Sequence, residues 1–201
     1  PSAGIWGVRF DLGTQVRSSL VTTFVPFLWA AGGEMYSEDG KKVTFDGPEG
    51  EVALDYMVSF YRDKLVQEAN LTGGGLPFTS GQVGFELQVA NNYLLTYAEA
   101  NPDLEIGITP TLKEKKQVGF GTVGSYAVFK KSQNPKEAAQ WLASVTSREN
   151  TVTILKASGF ISPRKSVRAE EYCSGPSLEA AAQAQYMRPE PKHVKSREVL
   201  A

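Results

Sequence analysis

Residues Ser80–Asn91 read SGQVGFELQVAN. A Ser-Gly turn enters an apolar run, the run gives way to polar Gln88 and Asn91, and a second periodic segment begins. This reads as turn, short strand, exit loop and helix start. Val83, Phe85 and Leu87 point one way along the strand, with Glu86 and Gln88 on the other face. Polar groups at the exit of a buried strand face a crevice rather than a core. The stretch therefore predicts a binding cleft at this exit, with most of the chain building one wall of it.

Upstream, Gly4–Phe10 (GIWGVRF) alternates as a strand. From Thr14 to Ala31 apolar residues recur at helical spacing, and Pro26 is expected to kink or split that helix. Ser18, Ser19, Thr22 and Thr23 form a hydroxyl-rich patch in its first half, facing either solvent or a ligand. Asp39-Gly40 between Met35-Tyr36 and Val43-Thr44-Phe45 predicts a hairpin. Asp46 or Gly47 caps the next helix, with Pro48 at its first position and Glu49 and Glu51 at the positive end of its dipole. Its aromatics keep helical spacing and read as core. Gly73-Gly74-Gly75 closes a flexible connection; without a Gly-Lys-Ser/Thr ending it is no phosphate loop.

Downstream, Val89–Ala100 reads as a helix carrying Tyr93, Leu94 and Tyr97, and Leu104–Ile108 as a strand. The KEKK tip at 113–116 is a solvated loop. Gly119–Gly124 reads as a loop needing close backbone approach, and Ser125–Phe129 as a buried strand. Asn134 and Pro135 start a helix in which Ala138, Trp141, Leu142 and Val145 pack inward. Ser147 restarts a helix that Gly159 stops. A brief extended segment, 160–164, leads to further helical pattern from Val167. From Met187 the chain reads as an extended tail or a truncated helix.

Composition narrows the chemistry. The 201 residues carry a formal net charge of -1 and 41% hydrophobic residues, enough for one large domain or two small ones. Balanced charge leaves no footprint for nucleic acid or an anionic membrane. One cysteine, Cys173, excludes an internal disulfide; one histidine, His193, argues against a His/Cys metal centre and against a Ser-His-Asp triad that it does not serve. No apolar run approaches the ~20 residues of a membrane helix. The chain starts at Pro1 and is expected to be part of a longer one.

Five segments in order resemble the family 1 extracellular solute-binding proteins of ABC importers, the group that includes maltose-binding protein. They are LWAAGGEMYSEDGKKVTFDGPEGEVALDYMVSFYRD (28–63), SGQVGFEL (80–87), NPDLEIGITPTL (101–112), VGSYAVFKKSQNPKEAAQWLASVTSREN (123–150) and SGFISPRKSV (158–167). The resemblance implies an α/β fold of the type II periplasmic-binding-protein class, a mixed sheet flanked by helices, with part of a second lobe. Residues 4–121 would form the main part of the C-terminal lobe, 125–167 the returning segment of the N-terminal lobe, and 168–201 a truncated return to the C-terminal lobe. Most of the N-terminal lobe would be missing, and a dimer or swapped arrangement would cover the apolar face so exposed. Such proteins close hinge-like on a solute and deliver it to ABC permease membrane subunits, from the periplasm or, lipid-anchored, from the cell surface. They are not enzymes and need no cofactor.

The family's stacking Trp falls at Asn91, the Gly before it at Val89, and a crossover aromatic near Gly124, so two stacking rings are absent. Sugars bind on aromatic faces with planar hydrogen-bonding groups around them. Here Gln88, Asn91, Thr122, Gly124, Ser125 and the hydroxyls of Ser18 and Thr22 imply a pocket of amides and hydroxyls, with Tyr36, Tyr93 or Tyr126 to supply stacking. The expected ligand is a sugar, an oligosaccharide or a related polar solute. Two other readings stay open: a glycosidase using Glu34 and Glu86, and an interaction or sensor module with a degenerate cleft.

Overall fold

The chain, seen in a computed structural model, is described over residues 4–9, 17–66, 78–87 and 90–189, with side chains left out for 17–21. It divides into two units. The first comprises Pro1–Val89, Thr109–Gly121 and Tyr186–Ala201, the second Ala90–Ile108 and Thr122–Gln185.

In the first unit β1 (Trp6–Arg9) and β2 (Val83–Glu86) pair in parallel, Trp6 opposite Val83 and Arg9 opposite Glu86. Parallel neighbours need a long crossover, and α1 (Arg17–Ala30) and α2 (Pro48–Arg62) lie within it. The split expected at Pro26 does not occur. Val25, Phe27, Leu28, Trp29 and Ala30 are all buried around it, so tertiary burial outweighs the helix-interior penalty of proline, about 3 kcal/mol. Helix α2 starts with Gly47 at its cap position and Pro48 behind it. It ends with Lys64 at φ 55, Lys64 N–H donating to Tyr61 O and Leu65 N–H to Phe60 O. This is a Schellman-type stop with lysine in the usual glycine place. Leu65 O then accepts from Gly7 and Val8 of β1. Val8, Phe27, Leu28, Ala53, Met57 and Val66 form one core cluster.

The hairpin forms as the Asp-Gly pair predicts. Tyr36 bridges Val43, Gly40 sits at φ 67, and Ser37 N–H donates to Lys42 O. The Ser37 hydroxyl and the Lys41 backbone N–H hold the Asp39 carboxyl below its usual range. The 113–116 tip does more than face solvent: Lys115 and Lys116 N–H both donate to Ala30 O and cap α1.

A second core cluster joins Val25, Trp29, Ala30 and Val118. Beside it β3 (Gly119–Gly121) pairs in parallel with β4 (Met187–Pro189). The expected 119–124 loop is thus a strand for three residues, and the expected tail from Met187 begins as its partner. The close approach expected of the glycines is real: a Cβ on Gly121 would lie 2.9 Å from Met187 Cβ. Among the described residues both named sheets are two-stranded.

Burial along β2 is uneven: Val83 is buried and Leu87 packs against the first core cluster. Phe85 is 56% exposed, whereas the Glu86 side chain is only 7% exposed and ion-paired with Arg9. That charge pair, 77 residues apart in sequence, puts a carboxylate inside and leaves the ring outside. Gln88 and Val89 lie outside the described residues.

The second unit is helical. Helix α3 spans Tyr93–Ala100, starting later than the expected Val89, and buries Leu94 and Tyr97 while Tyr93 stays exposed. Leu104–Ile108 makes no ladder, although Leu104 and Ile106 alternate with exposed neighbours. Ser125–Phe129 is neither a strand nor buried: Tyr126 is 60% and Phe129 84% exposed. A sheet interior requires neighbours on both sides, and the second unit contains no strand among its described residues. Helix α4 (Pro135–Val145) forms with Asn134 at the cap position but buries none of its residues, and Trp141 is 58% exposed.

Helix α5 (Arg148–Ser158) behaves as read. Ser147 Oγ accepts from Asn150 N–H, and Gly159 closes it in the left-handed conformation at φ 71. Ser147→Ala should cost about 1 kcal/mol of stability, measurable as a lower urea midpoint; an unchanged midpoint would mean the cap is idle. Beyond it, Arg164 Nη1 donates to Thr146 O at 2.6 Å and Tyr172 Oη accepts from Ser162 N–H at 3.0 Å, tying the 160–164 segment to the end of α4. Helix α6 (Gly175–Ala182) follows a single 3-10 turn at Ala169–Glu171.

Candidate functional site

The eight candidate residues divide between the units. In the first, Ser18 and Thr22 sit on α1; Thr22 is half-buried, and the Ser18 side chain lies outside the described residues. Tyr36 is half-buried at the base of the hairpin, where its backbone bridges Val43. Gln88 lies outside the described residues.

In the second unit Thr122, Gly124 and Ser125 share one exposed segment. A Cβ on Gly124 would meet nothing within 4 Å. This segment places two hydroxyls and an unobstructed stretch of backbone in solvent, a hydrogen-bonding edge with room for a polar molecule. Asn91 precedes α3, and its Nδ2 donates to Gly159 O at 2.8 Å. The amide is thus directed to the end of α5, and no hydrogen bond joins it to the 122–125 segment among the described residues. Tyr126, named for stacking, is exposed and meets Trp141 edge-on at 6.2 Å between centroids.

The carboxylates named for hydrolysis are both engaged by arginine. Arg9 holds Glu86. Arg188 forks onto Glu34, with Nη1 to Oε1 at 3.0 Å and Nη2 to Oε2 at 3.1 Å. The Arg188 guanidinium also lies 4.4 Å over the ring of Trp29, which stacks against Phe120. Residue reading missed this cluster. Its partners stand 154 positions apart, and only the buried Trp of the Leu-Trp-Ala-Ala-Gly-Gly segment hinted at it. Burial pushes the Cys173 thiol up, away from thiolate nucleophile chemistry. Among the described residues no three His, Cys, Asp or Glu side chains cluster, and no helix is long and apolar enough to cross a membrane.

Two shallow hollows lie in the first unit. One of about 470 Å³ is lined by Ser37, Glu38, Asp39 and Lys42. The other, of about 580 Å³, runs along the outer face of α2 beside Glu51, Asp55 and Arg62. Neither is lined by a candidate residue.

A model of the bacterial extracellular solute-binding protein family matches residues 13–184. Among solved structures, maltose-bound MalE3 of T. maritima is similar over 98% of this chain and 53% of its own, at 25% identity and a TM-score of 0.76. The cyclic alpha-maltosyl-1,6-maltose binding protein of Arthrobacter globiformis is similar over 98% and 51%, at 20% identity and a TM-score of 0.70. An ABC transporter solute-binding protein of Thermotoga lettingae TMO, bound with alpha-D-tagatose, is similar over 92% and 47%, at 20% identity and a TM-score of 0.66. The last two bear on the fold alone. The chain spans about half the length of these structures. No curated protein matches the sequence.

Proposed function

The chain belongs to the bacterial extracellular solute-binding proteins and carries their type II periplasmic-binding fold, and from that premise we propose that it takes part in capturing a carbohydrate or related polar solute for an ABC importer. The observation that carries this reading is the likeness of 98% of the chain to a maltose-bound protein. The solute is held between two lobes. Residues 4–121 supply the main part of one, 125–167 return to the other, and 168–201 rejoin the first. Ser18, Thr22, Tyr36, Gln88, Asn91, Thr122, Gly124 and Ser125 provide the hydrogen-bonding and stacking surface. The exposed hydroxyls of Thr122 and Ser125 support that assignment, because sugar hydroxyls need directional partners reachable from solvent. The loaded protein is read by the permease subunits, and the protein works outside the cytoplasmic membrane, in the periplasm or lipid-anchored at the cell surface.

The matched family and structures are solute-binding proteins rather than enzymes. The arginine partners of Glu34 and Glu86 likewise give no support to a glycosidase pair.

Calorimetric titration of the chain with maltose, maltotriose and tagatose tests the proposal. At least one is expected to bind saturably. Ser125→Ala and Thr122→Ala should each weaken binding about tenfold, the loss of one hydrogen bond worth about 1.4 kcal/mol. Turnover of a glycoside that Glu86→Gln abolishes would overturn the reading.

A further inference from the structure

Helix α2 is apolar on more than its inner side. That inner face is already provided for, with Gly50, Ala53 and Met57 buried. Yet Val52, Leu54, Tyr56 and Val58 stand 47–55% exposed. A surface helix keeps its outer face polar, and a helix that is apolar all round is a buried one. Tyr56 is held in place, edge-on to Phe60 at 5.0 Å and tilted against Phe27 at 5.8 Å. Among these apolar residues runs one polar stripe, Glu51, Asp55, Ser59 and Arg62, at the three- and four-residue spacing of neighbours on a helix face. Together with Val52 and Tyr56 it lines the hollow of about 580 Å³.

The stripe runs from acidic at the start of α2 to basic at its end, an order complementary to its own reverse. We propose that the outer face of α2 docks α2 of a second copy of this chain, antiparallel about a two-fold axis beside Ser59. Arg62 of each copy then faces the partner's Asp55, one turn from the partner's Glu51, and the helix dipoles oppose. Parallel pairing would set like charges together. Within one chain Arg62 reaches Asp55 only at 3.5 Å, with both side chains mostly exposed, a pair worth little and easily exchanged. Ser59 suits the axis. It is small, and its hydroxyl already donates to Tyr56 O at 2.7 Å, so burying it orphans no donor. Tyr56 and Val58 lie beside the axis and lose their water there. One helix pair falls short of the ~800 Å² per partner of a standard interface, so the dimer is a reversible, micromolar one. None of these residues belongs to the proposed solute surface, and the inference stands apart from the carbohydrate reading.

Sedimentation velocity of the whole chain, from low to high micromolar concentration, tests this. The expected result is a concentration-dependent shift from monomer to dimer. Arg62→Glu should weaken dimerisation about tenfold or more, because the reversal strikes both symmetry-related pairs. Exchanging the charges, Asp55→Arg with Arg62→Asp, should restore it, with the circular dichroism of both variants matching the parent. A monomer at every concentration would leave the face to some other partner and overturn the proposal. A dimer that Arg62→Glu leaves intact, or that the exchange fails to rescue, would overturn it as well.

Discussion

Trp29→Ala should lower the unfolding free energy of the first unit by about 3–5 kcal/mol, the range for deleting a large buried aromatic. Trp29 is fully buried. It packs with Val25, Ala30 and Val118, stacks on Phe120 at 6.1 Å and carries Arg188 over its ring. Its removal leaves a cavity beneath both β3 and the Glu34–Arg188 fork, so three contacts fail together. A guanidine or urea melt followed by far-ultraviolet circular dichroism reads the loss. Trp29→Phe should recover much of it by refilling the volume, though not the full ring overlap. A Trp29→Ala midpoint within experimental error of the parent would show that the second core cluster does not support the unit.

Gly50→Ala should be nearly as damaging, although alanine in a helix is ordinarily worth about 1 kcal/mol over glycine. Gly50 lies in the first turn of α2 and is buried. A Cβ there would fall 1.7 Å from Phe45 O, a backbone atom. The hairpin exit and the helix start cannot separate without disturbing the core they share, including Leu28. The expected cost is about 3 kcal/mol, the upper end of ordinary overpacking. Gly47→Ala is the control: its Cβ would lie 3.5 Å from Thr44 O, an ordinary contact, and the change should be mild. Equal melts for the two variants would contradict the packing described at this corner.

The parts of the fold that were legible in the sequence are those decided by near neighbours. Asp39-Gly40 makes its turn, Pro48 starts α2, and Ser147 and Gly159 bound α5, because each acts on backbone within four or five residues. At Pro26 the helix stays whole rather than splitting, for the opposite reason. Its penalty is local, but the burial that outweighs it comes from all around α1. The burial of Glu86 in β2 was not legible, because Arg9, far off in the chain, claims it. Ser125–Phe129 has the composition of a core strand, yet burial belongs to a strand's neighbours rather than to its own residues. The candidate residues divide in the same way. The exposure of Thr122 and Ser125 follows from their polar, Gly-containing segment, whereas the engagement of Asn91 with Gly159 needed the three-dimensional meeting of residues 68 apart.

The Glu34–Arg188–Trp29 cluster gives the first unit a second anchor beyond its apolar core. A bidentate arginine–carboxylate pair fixes orientation as well as charge, and here it holds β4 to the segment that follows α1. The short β3–β4 ladder, which includes Arg188, is thereby braced by Glu34 and Trp29, residues outside it and far from it in sequence.

Capture of a carbohydrate by this fold is tested most directly by ligand-linked thermal stability of the purified chain across a sugar panel that includes maltose and tagatose. A ligand that binds only the folded form must raise stability by about 2.7 kcal/mol at one hundred times its dissociation constant, which corresponds to a Tm rise of roughly 5–10 °C for a chain of this size. Such a rise is expected for at least one sugar, reduced at fixed sugar concentration by Ser125→Ala. No rise with any sugar at millimolar concentration would contradict it.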